Sequence, residues 1–425
     1  MSEFVIDRVW ALQVLDSRGD PTVEVVVTTK GGGVGRGIAP AGASRGSREA
    51  LELRDGGRKY LGRGVEKAVE AVNKYIAPAI IGMSSYRFRE VDRRMIEVDG
   101  TPNMSRLGAN ATTATSFAVL NAAANTEGLP LFEFLGGRRS RLLPTPLMNV
   151  INGGAHAGNE LSFQEFMIVP VGASTFSEAL RVAVEVYKTL KGYLKEVYGP
   201  MATNVGDEGG FAPPMKSVRE ALEALVKAVT RAGYEVGKDV LLALDVAASQ
   251  IYRDGKYVVD RSEMTAEELL ELYLRLAEEF PIASIEDPFA EDQPRYFKEL
   301  RDKLKGRSLV IGDDLTVTRA ELVSEYFLGG VIDGTIIKVN QVGTFTEAER
   351  SITTLKELGG RAIISHRSGE SEDTTIAHIA VAYEIGLIKT GAPARGERTS
   401  KYNELLRIED YLSGDAIYAG SKFLK

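Results

Sequence analysis

The sequence predicts a (β/α)8-type barrel that follows a smaller α+β domain. From about residue 140 onward, short apolar runs that end in a polar residue alternate with amphipathic helical patterns. Most successive runs are spaced by roughly 25 residues, which is the length of one strand, one helix and two short loops. At least six such units occur, and repeated strand–helix units favour a parallel sheet that is covered by helices and closes on itself. An open doubly wound sheet is the structural alternative.

The first part of the chain has a different pattern, in which strands come first and helices follow. The full length of 425 residues leaves room for a barrel of about 250 residues and one smaller domain. We place the boundary where the composition changes near Gly136–Gly137, which divides the chain into residues 1–137 and 138–425. The loop at residues 40–48 is small and polar, and we expect it to be exposed and able to move. Residue patterns predict two strands and three helices: Phe4–Leu15, Thr22–Thr29, Val65–Ile81, Tyr86–Val98 and Ala109–Thr126.

The helices of the second domain carry their own start and stop signals. Gly329 and Gly359 stand where two of these helices are expected to end. The Thr-x-x-Glu pattern of a capping box occurs three times, at Thr265/Glu268, Thr318/Glu321 and Thr344/Glu347.

Composition excludes several classes of function. A formal net charge of −7 argues against a nucleic-acid or anionic-membrane footprint, and no apolar run approaches the ~18 residues needed to span a bilayer. The N-terminus lacks the pattern of a signal peptide, and the chain has 0 cysteines, which excludes disulfides and thiolate metal sites and fits a cytoplasmic location. Any metal must therefore be held by carboxylates or by one of 3 histidines, which favours a hard cation such as Mg²⁺.

Acidic and basic residues at the ends of the predicted strands make up the candidate active site. In a barrel, the C-terminal ends of the strands converge on one mouth, where active sites lie. Asp245, Glu286 and Asp313 would meet there, and three carboxylates repel one another unless a cation neutralises them. The next strands end at Lys338, at the segment 366–368 (His-Arg-Ser) and at Lys389.

These groups suggest a class of reaction. A lysine near Mg²⁺ and a second ammonium has a lowered pKa and could act as a base. The Arg367–Ser368 pair suits a phosphate, since a guanidinium gives a bidentate grip and the hydroxyl adds a hydrogen bond. Together they suggest proton abstraction next to a carboxylate, with the enolate charge stabilised by metal. Spacing alone does not name the substrate.

Eleven motifs, in family order and spread over nearly the whole chain, give it a close resemblance to the enolase family. One such motif would be weak, but the ordered set is very specific. The motifs are LDSRGDPTVEV (15–25), AGASRG (41–46), NGGAHAGN (152–159), QEFM (164–167), NVGDEGGFAP (204–213), ALDVAAS (243–249), IEDPF (285–289), GDDLTVT (312–318), IIKVNQVGT (336–344), SHRSGESED (365–373) and KTGAPARGER (389–398).

The resemblance implies the family's strand order and a Mg²⁺-dependent dehydration of 2-phosphoglycerate to phosphoenolpyruvate with two Mg²⁺ ions in each active site. It implies that Lys338 is the base and that Glu208, with Glu165, is the acid. Asp313 is preferred over Asp314 because it matches the family's position relative to the lysine. The remaining implied roles are metal binding by Asp245, Glu286, Asp313 and, for the second ion, Ser44, and substrate binding by Gln164, His156, His366, Arg367, Ser368 and Lys389.

Three residues depart from the family pattern: Asp20, Arg45 and Gln250. None of them is a proposed ligand or acid–base group, so they leave open only the kinetics of the movable loop at residues 40–48 and the supporting hydrogen bonds of the site. His378 lies in a predicted helix without a polar cluster, and we expect it to be structural.

Two other functions remain open from the sequence. One is another acid dehydratase or racemase of the same superfamily, although the segments at residues 365–373 and 389–398 favour a phosphorylated substrate. The other is a non-catalytic binding role on the same fold. The resemblance also implies a homodimer, or an octamer built from dimers, and allows a cell-surface or secreted pool beside the cytoplasmic one.

Overall fold

The N-terminal part of the chain is a three-stranded antiparallel sheet packed against helices. The computed structural model describes residues 2–43, 46–154 and 157–424. The strands follow one another in the order β1 (Ile6–Leu15), β2 (Pro21–Thr29) and β3 (Val34–Ile38). The helices of this part are α1 (Glu66–Ala71), α2 (Ala77–Ile80), α3 (Phe88–Asp99), α4 (Ala109–Glu127) and α5 (Leu131–Gly136).

The predicted elements of this part occur, and one further strand is present. A π-helical turn at Val72–Ile76 joins α1 to α2, so the predicted helix over 65–81 is almost continuous. The additional strand, β3, carries glycines because the backbone of α4 lies against it. A Cβ atom at Gly35 would come within 2.1 Å of the Ala118 carbonyl oxygen, so the strand packs against the helix too closely for a side chain there.

The second part is a closed barrel of eight strands, as the sequence predicts. Around the barrel, the hydrogen-bonded order is β5-β6-β7-β11-β12-β13-β14-β15, and β15 pairs with β5. Strand β6 runs antiparallel to both of its neighbours, while the other pairs are parallel. The strands are β5 (Thr145–Asn152), β6 (Glu165–Pro170), β7 (Val240–Asp245), β11 (Ile282–Glu286), β12 (Leu309–Gly312), β13 (Gly334–Ile337), β14 (Arg361–Ser365) and β15 (Leu387–Lys389).

Helices surround the barrel, and two small sheets lie at its periphery. One small sheet is the antiparallel meander β8 (Tyr252–Arg253), β9 (Lys256–Val259) and β10 (Ser262–Met264), and the other pairs β4 (Leu142–Leu143) with β16 (Ile417–Tyr418). The helices are α6 (Phe176–Tyr198), α7 (Val218–Arg231), α8 (Ala266–Glu279), α9 (Pro294–Leu304), α10 (Ala320–Leu328), α11 (Val339–Val342), α12 (Phe345–Leu358), α13 (Thr375–Ala382) and α14 (Gly396–Leu412).

Two of the three predicted helix starts are correct. Thr265 forms a complete capping box with Glu268, and the Thr344 hydroxyl accepts a hydrogen bond from the Glu347 amide. The third is wrong, because α10 begins only at Ala320. The Thr318 hydroxyl instead donates to Gln341 Oε1 at 2.6 Å and accepts from the Lys338 amide at 2.9 Å, so tertiary contacts in the barrel take the place of the cap.

Helices α3 and α12 join the two parts of the molecule. The buried Asp92 carboxylate on α3 accepts hydrogen bonds from the amide and the hydroxyl of Thr346, in the first turn of α12. Arg89, one turn earlier on α3, forms an ion pair with Glu349 of α12. His378 of α13 stacks on Phe132 of α5, at a ring-centroid distance of 6.2 Å, which fits the structural role predicted for it.

In the described part of the chain, no helix combines the length and the apolar character that crossing a membrane requires.

Candidate active site

The polar residues predicted at the strand ends do lie at one mouth of the barrel. Asp245, Glu286 and Lys389 are the last residues of β7, β11 and β15, while Asp313 and Lys338 directly follow β12 and β13. One pocket at this mouth is lined by residues from both parts of the chain: Gly42, Gln164, Glu165, Glu208, Asp245, Lys338, Ser365, His366, Arg367, Ser368 and Lys389.

Lys389 lies among three buried carboxylates. Its Nζ is 2.9 Å from Asp245 Oδ2, 2.8 Å from Glu286 Oε2 and 3.1 Å from Glu165 Oε1. Burial disfavours its charged form, but the acids, Asp245 foremost, outweigh burial and raise the pKa of Lys389 well above its usual value. Lys389 is therefore a fixed positive charge at the centre of the mouth.

The carboxylates at this mouth carry more negative charge than Lys389 alone offsets. Burial, and then the charge of Asp245, raise the pKa of Glu286 well above its usual value. Burial, and then the charge of Glu208, do the same to the pKa of Glu165. Such crowding of acids favours bound protons or a bound cation.

Lys338 forms an ion pair with Asp313 through its Nζ and Oδ2 atoms. The sequence led us to expect a lowered pKa for this lysine, and burial does act in that direction. The charge of Asp313 outweighs burial, so the pKa of Lys338 is raised. Asp313 therefore controls the charge of Lys338, and a cation bound to Asp313 would compete with this pairing.

Arg367 is held by a glutamate from the N-terminal part of the chain. Its two terminal nitrogens lie 3.0 Å from Glu49 Oε2 and 3.2 Å from Glu49 Oε1, and Asn340 Oδ1 accepts a further bond at 3.2 Å. Ser368 lines the same pocket. Arg367 and Ser368, which we expected to bind a phosphate, thus lie at the same pocket. Glu49, a residue outside the barrel, orients the Arg367 guanidinium.

Glu208 and Gln164 line the same pocket and are held by neighbouring side chains. Asn149 Nδ2 donates to Glu208 Oε2 at 3.0 Å, and His366 Nε2 lies 3.5 Å from Glu208 Oε1. Gln164 donates to Asp245 Oδ2 at 3.3 Å and accepts from Gln250 Nε2 at 3.1 Å. Gln250, which departs from the family pattern, therefore orients Gln164.

Two sets of acids are candidates for holding a metal ion, and among the described residues only one of them brings three ligand oxygens close together. The predicted set is Asp245, Glu286 and Asp313, which occupy consecutive strands around the rim. In residues 2–43, 46–154 and 157–424, three acids that offer oxygens within 4.8 Å of one another are Asp287, Asp313 and Asp314. Asp287 already accepts the amides of Asp313 and Asp314, at 2.8 Å each, so it shapes the loop that presents Asp313.

Sequence reasoning missed several residues that support the site: Glu49, Asn149, Asn340, Gln341 and Arg398. Gln341 and Asn340 lie within the quoted motif 336–344, directly after Lys338, which was a signal that could have been followed. Gln341 Nε2 donates to Asp313 Oδ1 at 3.1 Å and to Glu49 Oε1 at 3.2 Å. Two predicted residues, Ser44 and His156, lie outside the described residues, as does Arg45.

Two family models together match nearly the whole chain. "Enolase, N-terminal domain" matches residues 6–135, and "Enolase, C-terminal TIM barrel domain" matches residues 140–425. The chain belongs to the enolase family. It is therefore a lyase of the phosphopyruvate hydratase type, and the resemblance inferred from the motifs is confirmed.

Curated enolases agree with this assignment over almost their full lengths. The enolase of Aeropyrum pernix is 56% identical over 420 residues, which cover 99% of this chain and 97% of the relative. The enolase of Pyrococcus furiosus is 53% identical over 424 residues, covering 99% and 98%. The enolase of Methanocaldococcus jannaschii is 53% identical over 420 residues, with the same coverage.

Proposed function

We propose that this chain dehydrates 2-phospho-D-glycerate to phosphoenolpyruvate, with Mg²⁺ as its cofactor. The observation that carries the proposal is the single pocket that Lys338, the Glu165–Glu208 pair and the Arg367–Ser368 pair line together. A base, an acid and a phosphate-binding pair are the groups that this reaction needs. The enolase family membership supports the same reaction.

Asp245, Glu286 and Asp313 are the residues that we expect to hold a divalent cation. They offer only oxygen ligands, and none of them has more than 7% of its surface exposed. Burial, and then repulsion by Asp245, raise the pKa of Glu286, and a bound cation would relieve this repulsion. When bound there, Mg²⁺ would supply positive charge that stabilises the negative charge developing on the substrate as the C2 proton leaves. A second Mg²⁺ with Ser44 stays a prediction, as does substrate binding by His156.

Lys338 takes the proton from C2 when its Nζ is neutral. Removing this proton is difficult because a carbon next to a carboxylate is a very weak acid, and general base catalysis contributes only about 10²–10⁴-fold to the rate. The remaining stabilisation comes from fixed positive charge near the developing enolate, and Lys389 provides such a charge from the protein itself.

Glu165 and Glu208 form the acid that assists departure of the C3 hydroxyl. Burial, and then the charge of Glu208, raise the pKa of Glu165, which favours a proton on this pair. The proton passes from this pair to the leaving hydroxyl, and water is released. Arg367 and Ser368 bind the phosphate, and His366 and Gln164 complete the substrate contacts.

The experiment follows formation of phosphoenolpyruvate from 2-phosphoglycerate by ultraviolet absorbance, with Mg²⁺ and then with excess EDTA. We expect activity that vanishes with the chelator. Lys338→Ala should lose at least about 10²-fold in kcat, while the exposed Lys74→Ala, which removes only a surface pair with Glu70, should match the wild type. Turnover by folded Lys338→Ala at nearly the wild-type rate would contradict the role of the base.

A further inference from the structure

Arg398 is a fully buried cation that none of the roles above requires. It lies in the first turn of α14, with 0% of its surface exposed. Its nearest acid, Glu397, has Oε1 3.7 Å from Nε, beyond hydrogen-bond distance. A buried guanidinium is costly unless its donors are satisfied, so the hydrogen bonds of Arg398 indicate what it does.

The guanidinium donates to four acceptors on two separate segments. One terminal nitrogen lies 2.6 Å from His366 Nδ1 and 2.7 Å from the Arg367 carbonyl oxygen. The other lies 2.6 Å from the Ser368 carbonyl oxygen and 3.0 Å from that of Asp207. Arg398 therefore ties the segment 366–368 to the residue that precedes Glu208.

The contact with His366 also determines the position of a proton. A guanidinium can only donate, so His366 Nδ1 must accept with its lone pair. In a neutral imidazole the hydrogen then lies on Nε2, the atom that is 3.5 Å from Glu208 Oε1. Burial, together with the charge of Arg398, lowers the pKa of His366 to about 4, although Glu208 opposes this, so the ring is neutral at pH 7.

We propose that Arg398 is a positioning residue for this active site. It holds His366 as the Nε2–H tautomer directed at Glu208, and it fixes the spacing between Glu208 and the Arg367–Ser368 pair. The 3.5 Å separation is long for a hydrogen bond, as is common in active sites before substrate binds. The kinetic part of this proposal rests on the proposed function, whereas the tautomer does not.

The direct test is ¹⁵N NMR of the wild-type protein labelled at histidine. The chain has 3 histidines, so a His366→Gln variant assigns the ring signals. At pH 7 to 8 we expect His366 Nδ1 in the range of an unprotonated nitrogen and Nε2 in that of a protonated one. A protonated Nδ1 would overturn the proposal, and this result needs neither metal nor substrate.

The second test separates a positioning role from a merely structural one. Arg398→Lys keeps the charge but cannot reach four acceptors on two segments, so we expect kcat to fall by about 10²-fold. The fold-decrease in kcat should exceed the fold-increase in KM. Arg407→Lys, on the exposed face of the same helix where it pairs with Glu404, should keep the wild-type kcat. A wild-type kcat in Arg398→Lys, or an unchanged His366 tautomer in Arg398→Met, would overturn the proposal.

A wild-type protein without dehydratase activity but with the expected His366 tautomer would contradict the proposed function alone. The reverse result, normal activity with the other tautomer, would contradict only the role of Arg398.

Discussion

At the residue scale, the ion pair between Glu49 and Arg367 is the least expected contact of the site. The two residues are 318 positions apart in the sequence, and both side chains are nearly fully buried. Removing one partner of such a pair leaves an uncompensated buried charge. Glu49 therefore serves as the counter-ion of Arg367 within the protein itself.

Glu49→Gln should lower the free energy of unfolding by about 3–5 kcal/mol, because it leaves the Arg367 guanidinium buried without its counter-charge. Urea denaturation monitored by circular dichroism gives this quantity. Glu70→Gln, which removes an exposed pair with Lys74, should leave the free energy of unfolding nearly unchanged. If the two variants were equally stable, the Glu49 pair would not be an important source of stability.

The same pair shows where sequence reasoning reaches its limit at the residue scale. Strand-end residues such as Glu286 and Lys389 could be found, because a barrel brings all strand ends to one mouth. Glu49 and Asn149 could not be found in this way, since no periodicity links them to the residues they contact. The raised pKa of Lys338 was missed for a related reason, because it depends on the contact with Asp313.

At the scale of the elements, the first turn of α12 has, besides its own cap Thr344, a second acceptor from the other part of the molecule. Asp92 on α3 accepts from Thr346, and Ser116 of α4 donates to the same Asp92 oxygen at 3.0 Å. Within the described part of the chain, the other oxygen, Oδ1, has no hydrogen-bond partner and is able to carry a proton. Burial raises the pKa of Asp92 to about 6, against the effect of these hydrogen bonds.

This raised pKa predicts a definite pH dependence of stability. An acid with a higher pKa in the folded state binds its proton more tightly there, so its favourable contribution is present at low pH and is lost as the pH rises through the folded value. Between about pH 4 and pH 6, wild-type stability should therefore fall relative to Asp92→Asn by about 1.4 kcal/mol for each pH unit. Urea denaturation at several pH values measures the difference, and parallel profiles for the two proteins would contradict it.

The capping signals show how far local sequence determines an element. Thr265 and Thr344 were predicted correctly, because the interactions of a cap lie within one helical turn. Thr318 carries the same pattern, but its hydroxyl is taken by Gln341 and Lys338. Strand β3 was missed because its glycines, which admit the backbone of α4, make it resemble a loop.

At the scale of the whole molecule, the sequence predicted an N-terminal α+β part followed by a barrel of strand–helix units. The spacing of the strand–helix units favoured a barrel but left an open doubly wound sheet as the alternative, and only the family's strand order implied the antiparallel strand β6. Metal binding belongs to this scale as well, because the proposed ligands come from three strands of the closed sheet. A cation bound to these acids would therefore stabilise the fold as a unit.

Mg²⁺ should therefore raise the free energy of unfolding, by about 2.7 kcal/mol when its concentration is 100 times its dissociation constant. Thermal and urea unfolding across a Mg²⁺ titration, reversed with EDTA, measure this shift. Glu286→Gln should lose most of it, since Glu286 belongs to the proposed ligand set, and the exposed Glu263→Gln, which removes only a pair with Lys256, should keep it.

Asp314→Asn distinguishes the two candidate sets of acids. The backbone amide of Asp314 holds the loop by donating to Asp287, and the variant keeps that amide, so the loop should survive the change. If Asp245, Glu286 and Asp313 bind the ion, Asp314→Asn should retain the Mg²⁺-dependent shift that Glu286→Gln loses. The opposite pattern would move the cation to Asp287, Asp313 and Asp314, away from Lys389, and would remove the metal from the place where the proposed reaction needs its charge.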